Sequence, residues 1–148
     1  MIAKWIRASL GVAAFVAAGV GFAADNPGTL AGGTIVTADQ AKAAIEKGAP
    51  VFDVRTANEF SEGHIKGAKN VPYKEKSAKV ADFDASADSF DLSKLPSDKN
   101  AAVVFYCNGL DCWKSYKAAV VAIKGGYKKV QWLRGGFPEW KGKGFATE

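Results

Sequence analysis

The chain has 148 residues, 48% of them hydrophobic and 24% charged, with 16 Gly and 5 Pro. Those values describe one compact globular domain, long enough to bury a core, and exclude a disordered or low-complexity chain. The 20 basic residues exceed the 15 acidic ones by only five, and the bases are interspersed with acids, so no basic stripe or motif points to nucleic acid.

The first stretch differs in kind from the rest. Lys4 and Arg7 precede an apolar run from Ala8 to about Val20, and Gly21-Phe22-Ala23 offers small residues at the −3 and −1 positions. This order predicts a secretory signal peptide over residues 1–23, cleaved after Ala23. The rival reading, an uncleaved membrane anchor, is disfavoured because the run is Ala- and Gly-rich and short of a bilayer span. The leader holds two of the bases and no acid, leaving 18 bases against 15 acids and a net charge of +3 for the remainder. Export, to the periplasm if the source is a Gram-negative bacterium, would place the protein where disulfides persist.

Residues 24–33, small and Gly-rich, read as a flexible tether. Thr34-Ile35-Val36 suggests a short edge strand. Thr37 and Gln40 form a capping box, predicting a helix to about Lys47 that Gly48 ends. Val51-Phe52-Asp53-Val54 reads as a buried strand. Thr56 and Glu59 make a second capping box, for a short helix to about Ser61. A turn-rich loop from Gly63 to Ala68 leads to a short strand at Asn70-Val71-Pro72. Residues 74–99 are the least regular, with an expected short helix near 75–81 and then an acidic, solvated excursion.

Ala101 to Tyr106 is the strongest buried-strand signal, and Cys107 follows it directly. A helix is predicted from Trp113 to Lys124, with Tyr116, Ala119, Val120 and Ile123 on one face. Gly125-Gly126 ends it, Val130 to Leu133 forms another strand, and Phe137 to about Lys141 a last short helix. Strands alternating with helices imply an α/β fold, a parallel sheet covered on both faces. Such sheets place ligands at the carboxyl ends of their strands, where Cys107 lies.

Cys107 and Cys112 are the two cysteines. Composition and export allow a small structural disulfide; position allows a reactive thiol with a neighbour. The loop Asn108-Gly109-Leu110-Asp111-Cys112 can turn its amides inward as an anion-binding nest, and the following helix adds the positive end of its dipole. Both favour the nucleophilic thiolate of Cys107. One His and two Cys do not make a zinc set, so neither metal nor cofactor is expected. Cys112 reads either as a resolving thiol or as a small half-buried residue at the helix start. A bridge needs Cα atoms within about 7 Å, which a wide loop reaches only by moving.

At these residues the sequence resembles the rhodanese homology domain. Val51-Phe52-Asp53-Val54-Arg55 with Glu59-Phe60, then Gly63-His64-Ile65-Lys66-Gly67-Ala68 and Asn70-Val71-Pro72, are similar to its first signature. Val103-Val104-Phe105-Tyr106-Cys107 with Gly109 resembles its active-site strand and loop. Val130, Leu133, Gly135-Gly136, Trp140 and Gly144 resemble its closing pattern. The resemblance covers residues 34–146. It implies a rhodanese-like fold with a mainly parallel five-stranded sheet flanked by helices. It also implies Cys107 as the sulfur-accepting residue of a sulfurtransferase, cradled by the amides of residues 108–112.

On the same resemblance His64 lies in a loop that braces the fold, and Asp53 and Arg55 form a structural pair. The expected partners are a small sulfur donor and a thiol, cyanide or protein acceptor. Two departures bear on this. The loop positions that are commonly basic are Asn108 and Cys112, and Asp111 adds a negative charge, which weakens attraction for thiosulfate. Lys114 is the nearest base and the candidate anion contact. Trp113 is expected either to cover the loop or to face a partner. Two further readings stay open: a persulfide carrier without turnover, and a thiol–disulfide redox protein using Cys107 and Cys112. A Cys-based phosphatase is disfavoured, since such enzymes need a longer loop that ends in arginine and no Arg lies between Cys107 and Arg134.

Overall fold

The computed structural model of the chain describes residues 25–148; the expected leader, residues 1–23, lies outside them. Five strands, β1 (Thr34–Val36), β2 (Val51–Asp53), β3 (Lys69–Asn70), β4 (Ala102–Tyr106) and β5 (Lys129–Leu133), alternate with four helices. The helices are α1 (Ala38–Glu46), α2 (Ala57–Glu62), α3 (Lys114–Lys124) and α4 (Gly136–Gly142). The strands form one parallel sheet of order β1-β5-β4-β2-β3. The expected α/β architecture is therefore present.

Local sequence explains the helix starts. Thr37 and Thr56 each accept from a third-residue amide, while Gln40 and Glu59 bond back to the cap amide, satisfying donors that a helix start otherwise leaves bare. Within β4 the side chains alternate. Val103 and Phe105 join a cluster with Phe52, Val130, Trp132 and Ala118 of α3. Val104 and Tyr106 join the opposite cluster with Val51, Leu133, Ala41 and Trp140. One strand thus feeds two cores, and burying each such large apolar side chain contributes about 1.5–3 kcal/mol.

Three expectations change. No helix forms near 75–81; short 3₁₀ turns occur instead at Ala85–Ala87 and Leu92–Lys94. The backbone there finds side-chain partners rather than helical ones. Asp88 accepts from the amides of Lys76 and Ser77, and the Lys117 ammonium donates to the Ser77 carbonyl. The buried face of α3 centres on Ser115, Ala118, Ala119 and Ala122 with Tyr116 and Lys117, leaving Val120 and Ile123 half-buried. Lys117, fully buried, pairs with Glu75 at 2.8 Å, which anchors the irregular excursion to the helix. Asp88 is likewise a hydrogen-bond hub rather than a solvated acid, bound also by Tyr73 and Ser77 hydroxyls.

Residues 25–33, read from composition as a tether, carry neither helix nor strand, yet two of them are buried. Leu30 packs into the core and Asn26 is 2% exposed.

Candidate active site

Register brings the site together. Tyr106 of β4 pairs with Asp53 of β2 on one side and Leu133 of β5 on the other. Val54, Cys107 and Arg134 therefore leave the sheet at one edge. Cys107 is 1% exposed and bonded to Cys112 in a disulfide with a Cα–Cα distance of 6.3 Å. The loop between them is tight enough to close, through a turn in which the Cys112 amide donates to the Gly109 carbonyl.

In the disulfide-bonded state the hydrogen bonds at the sulfur come from α3. The Cys107 Sγ accepts from Ser115 of α3, at 2.9 Å from the hydroxyl and 3.4 Å from the amide. The Ser115 hydroxyl oxygen in turn accepts from Trp132 Nε1 at 2.8 Å. The disulfide sulfur has no proton to give, so the hydroxyl is the donor.

The loop is held from three sides. From β2, Arg55 grips both carboxylate oxygens of Asp53 and the Gly63 carbonyl, and reaches Asn108 at 3.5 Å. Tyr106 donates to Asp53 at 2.7 Å while accepting the Ile65 amide. Burial beside Asp53 pushes the Tyr106 phenol far above its ordinary range, so it remains a donor. Asn108 also bonds Glu59. Burial alone would raise the Glu59 carboxyl; the Asn108 and Thr56 donors outweigh it and hold it below the usual value.

From β5, the turn before α4 presses directly on the loop. The Phe137 amide donates to the Cys107 carbonyl at 2.9 Å. Gly136 has φ +65°, and a Cβ there would stand 2.5 Å from both the Cys107 oxygen and the Gly109 nitrogen; only glycine fits this approach.

From the N-terminal side, the Asn26 amide group donates to the Gly109 and Cys112 carbonyls, and its backbone amide to the Leu110 carbonyl. Arg134 holds this strap through the Asn26 and Pro27 carbonyls.

The remaining sequence-derived residues separate. Leu110 is an exposed apolar tip, and Asp111 is exposed. Lys114 opens α3, but its ammonium is not among the groups bonding the sulfur. Trp113 is 5% exposed and packs edge-on against Tyr116 in the cluster that includes Cys107; a partner-facing Trp113 is ruled out by that burial. His64 bonds the Phe60 carbonyl and stacks on the Phe60 ring, and its backbone exchanges hydrogen bonds with Glu148, which ties the end of α2 to the C-terminal segment. Clefts of about 360 and 200 Å³ flank the loop, the first against Asn108 and Lys141, the second against Leu110 and Arg134. A larger cavity of about 410 Å³ lies at the opposite sheet edge, by Thr34 and Ala102. Among the described residues no helix is long and apolar enough to cross a membrane.

Ser115, Asn26, Arg134 and Gly136 were not singled out as site residues from the sequence. Ser115 left one trace, a small polar residue inside the apolar pattern of α3. Asn26 left none, because its partners lie more than 80 positions away.

Residues 37–143 match the rhodanese-like domain family. The chain is 33% identical over 106 residues to thiosulfate sulfurtransferase GlpE of Pseudomonas aeruginosa, covering 72% of this chain and 82% of that protein. It is 32% identical over 111 residues to thiosulfate sulfurtransferase 18 of Arabidopsis thaliana, covering 71% and 76%. The solution structure of the rhodanese-like domain of an Anabaena protein superposes with a TM-score of 0.55 at 27% identity, covering 76% of each chain.

Proposed function

The chain belongs to the rhodanese-like domain family, and from that premise we propose that it is a sulfurtransferase working through a persulfide on Cys107. The observation that carries the reading is the position of Cys107, directly after β4 in the loop that leads into α3, in a chain whose relatives include thiosulfate sulfurtransferases. With the disulfide reduced, the Cys107 thiolate attacks the outer sulfur of a donor such as thiosulfate. A sulfur–sulfur bond forms, the donor's own breaks, and sulfite leaves. An acceptor thiolate or cyanide then takes the terminal sulfur, and the Cys107 thiolate departs. This is covalent catalysis in two displacements. The loop carries no basic side chain and one acid, Asp111, which favours donors less anionic than thiosulfate. In this reading the leader exports the protein and the chemistry needs no cofactor.

A second reading, thiol–disulfide exchange, is favoured by the Cys107–Cys112 bridge. The two connect. A Cys112 thiolate attacking the inner sulfur of the persulfide releases hydrosulfide and leaves the disulfide, which a dithiol reductant reopens.

Intact mass spectrometry of the reduced protein exposed to thiosulfate or polysulfide separates the readings. A gain of one sulfur, absent in Cys107→Ser, supports sulfur transfer, and catalytic turnover would set an enzyme apart from a carrier. Loss of two hydrogens with no sulfur adduct, and no adduct in Cys112→Ser either, where the persulfide cannot be resolved, would overturn it in favour of the redox reading.

A further inference from the structure

We infer that Ser115 is a catalytic hydrogen-bond donor to the Cys107 sulfur, aimed by the indole of Trp132. The inference deepens the Cys107 chemistry above and rests on that sulfur being the reacting atom.

The geometry is a three-member chain. Trp132 Nε1–H is a donor only, and it ends on the Ser115 oxygen at 2.8 Å. That contact occupies a lone pair of the hydroxyl, and the Cys107 sulfur stands 2.9 Å from the same oxygen. The hydroxyl proton therefore points at sulfur. The Ser115 amide adds a second donor at 3.4 Å, where the first turn of α3 leaves its N–H groups without helical partners. Ser115 is 1% exposed and Trp132 fully buried, so water does not compete for either bond. A donor to the charged form favours that form, and a desolvated site makes the preference larger.

Charged side chains surround the loop without reaching the sulfur. Asp111 and Lys114 belong to the loop and the start of α3. Arg55 and Glu59 approach from the β2–α2 side, where Arg55 is committed to Asp53. Arg134 and Glu139 approach from the β5–α4 side, where Arg134 holds the N-terminal strap and Glu139 the Ala38 amide. None of these side chains is hydrogen-bonded to Sγ among the described residues, so Ser115 occupies a role that a basic loop residue could otherwise fill. The same pair would hold a persulfide's inner sulfur in place during both displacements.

The test reads the thiol itself. In the reduced protein carrying Cys112→Ser, the rate of Cys107 alkylation by iodoacetamide is followed against pH. Ser115→Ala is expected to raise the midpoint by about one unit, a roughly tenfold loss of thiolate below it. Ser115→Thr, which keeps the hydroxyl, is expected to restore it. Trp132→Phe, which leaves the hydroxyl unaimed, is expected to shift the midpoint in the same direction by less. As an independent readout, Ser115→Ala in the protein with both cysteines is expected to displace the disulfide equilibrium in glutathione buffer toward the oxidised form. An unmoved alkylation midpoint and an unmoved redox equilibrium, whatever the change in melting temperature, would reduce Ser115 to a packing residue and overturn the inference. A Cys107 that fails to load sulfur would sink the transferase reading but leave this result intact, because neither measurement requires transfer.

Discussion

At the scale of single residues, the site depends on side chains that are fixed before any substrate arrives. Asp53 and Arg55 form a buried pair at 2.6 Å, and Tyr106 completes the set. Removing one partner leaves a buried charge unmatched. Asp53→Ala is therefore expected to cost about 3–5 kcal/mol in chemical denaturation, whereas Thr56→Ala, at an exposed cap, is expected to cost about 1 kcal/mol. Gly136 tests a different property. A methyl group there meets the Cys107 carbonyl and the Gly109 nitrogen. Gly136→Ala is expected to impair Cys107 sulfur loading, by mass spectrometry, more than its loss of thermal stability accounts for. A variant with unaltered loading would mean that the loop shifts freely.

At the scale of elements, the sequence reads best where the physics is local. Capping boxes at Thr37 and Thr56 declare themselves over four residues, and Val103 to Tyr106 reads as a buried strand from composition. The excursion after β3 does not, because its order comes from distant groups. Lys117 on α3 and Asp88 supply the partners that hold residues 75–77, and a buried lysine is invisible to a pattern that expects apolar residues inside. The same limit hid Asn26. Its bonds to the Gly109, Leu110 and Cys112 carbonyls link the N-terminal strap to the Cys107 loop across most of the chain. Asn26→Ala is expected to cost about 1–3 kcal/mol and to speed hydrogen exchange in residues 108–113 selectively; uniform exchange across the domain would argue against a local clamp.

At the scale of the whole molecule, the acid limb of stability follows from the excursion. Burial alone would raise the Asp88 carboxyl, but donors from Ser77, Tyr73 and Lys76 outweigh it and hold it well below its ordinary value. A carboxyl held low in the folded state contributes stability above its unfolded value, about 3.9, and that contribution fades as pH falls toward the folded one. Asp88→Asn is expected to lower the melting temperature at neutral pH and to flatten its fall below pH about 4; equal slopes for both proteins would contradict the assignment. The fold as a whole was legible because βα alternation, the two glycine-rich turns and the cysteine position converge on one topology. The closed Cys107–Cys112 bridge was not, since five-residue spacing permits both open and closed loops.

Because all five strands run the same way, the Cys107 loop sits at one rim of the sheet and the strands enter from the other. Lys47 and Lys128 are exposed on segments that feed the strands from that other rim, and a five-residue strand such as β4 spans about 16 Å between the rims. A fluorophore or a solid support attached at either position would leave the Cys107 loop, both flanking clefts and the N-terminal strap untouched. The domain thus has built-in handles for immobilisation or labelling that do not disturb its chemistry.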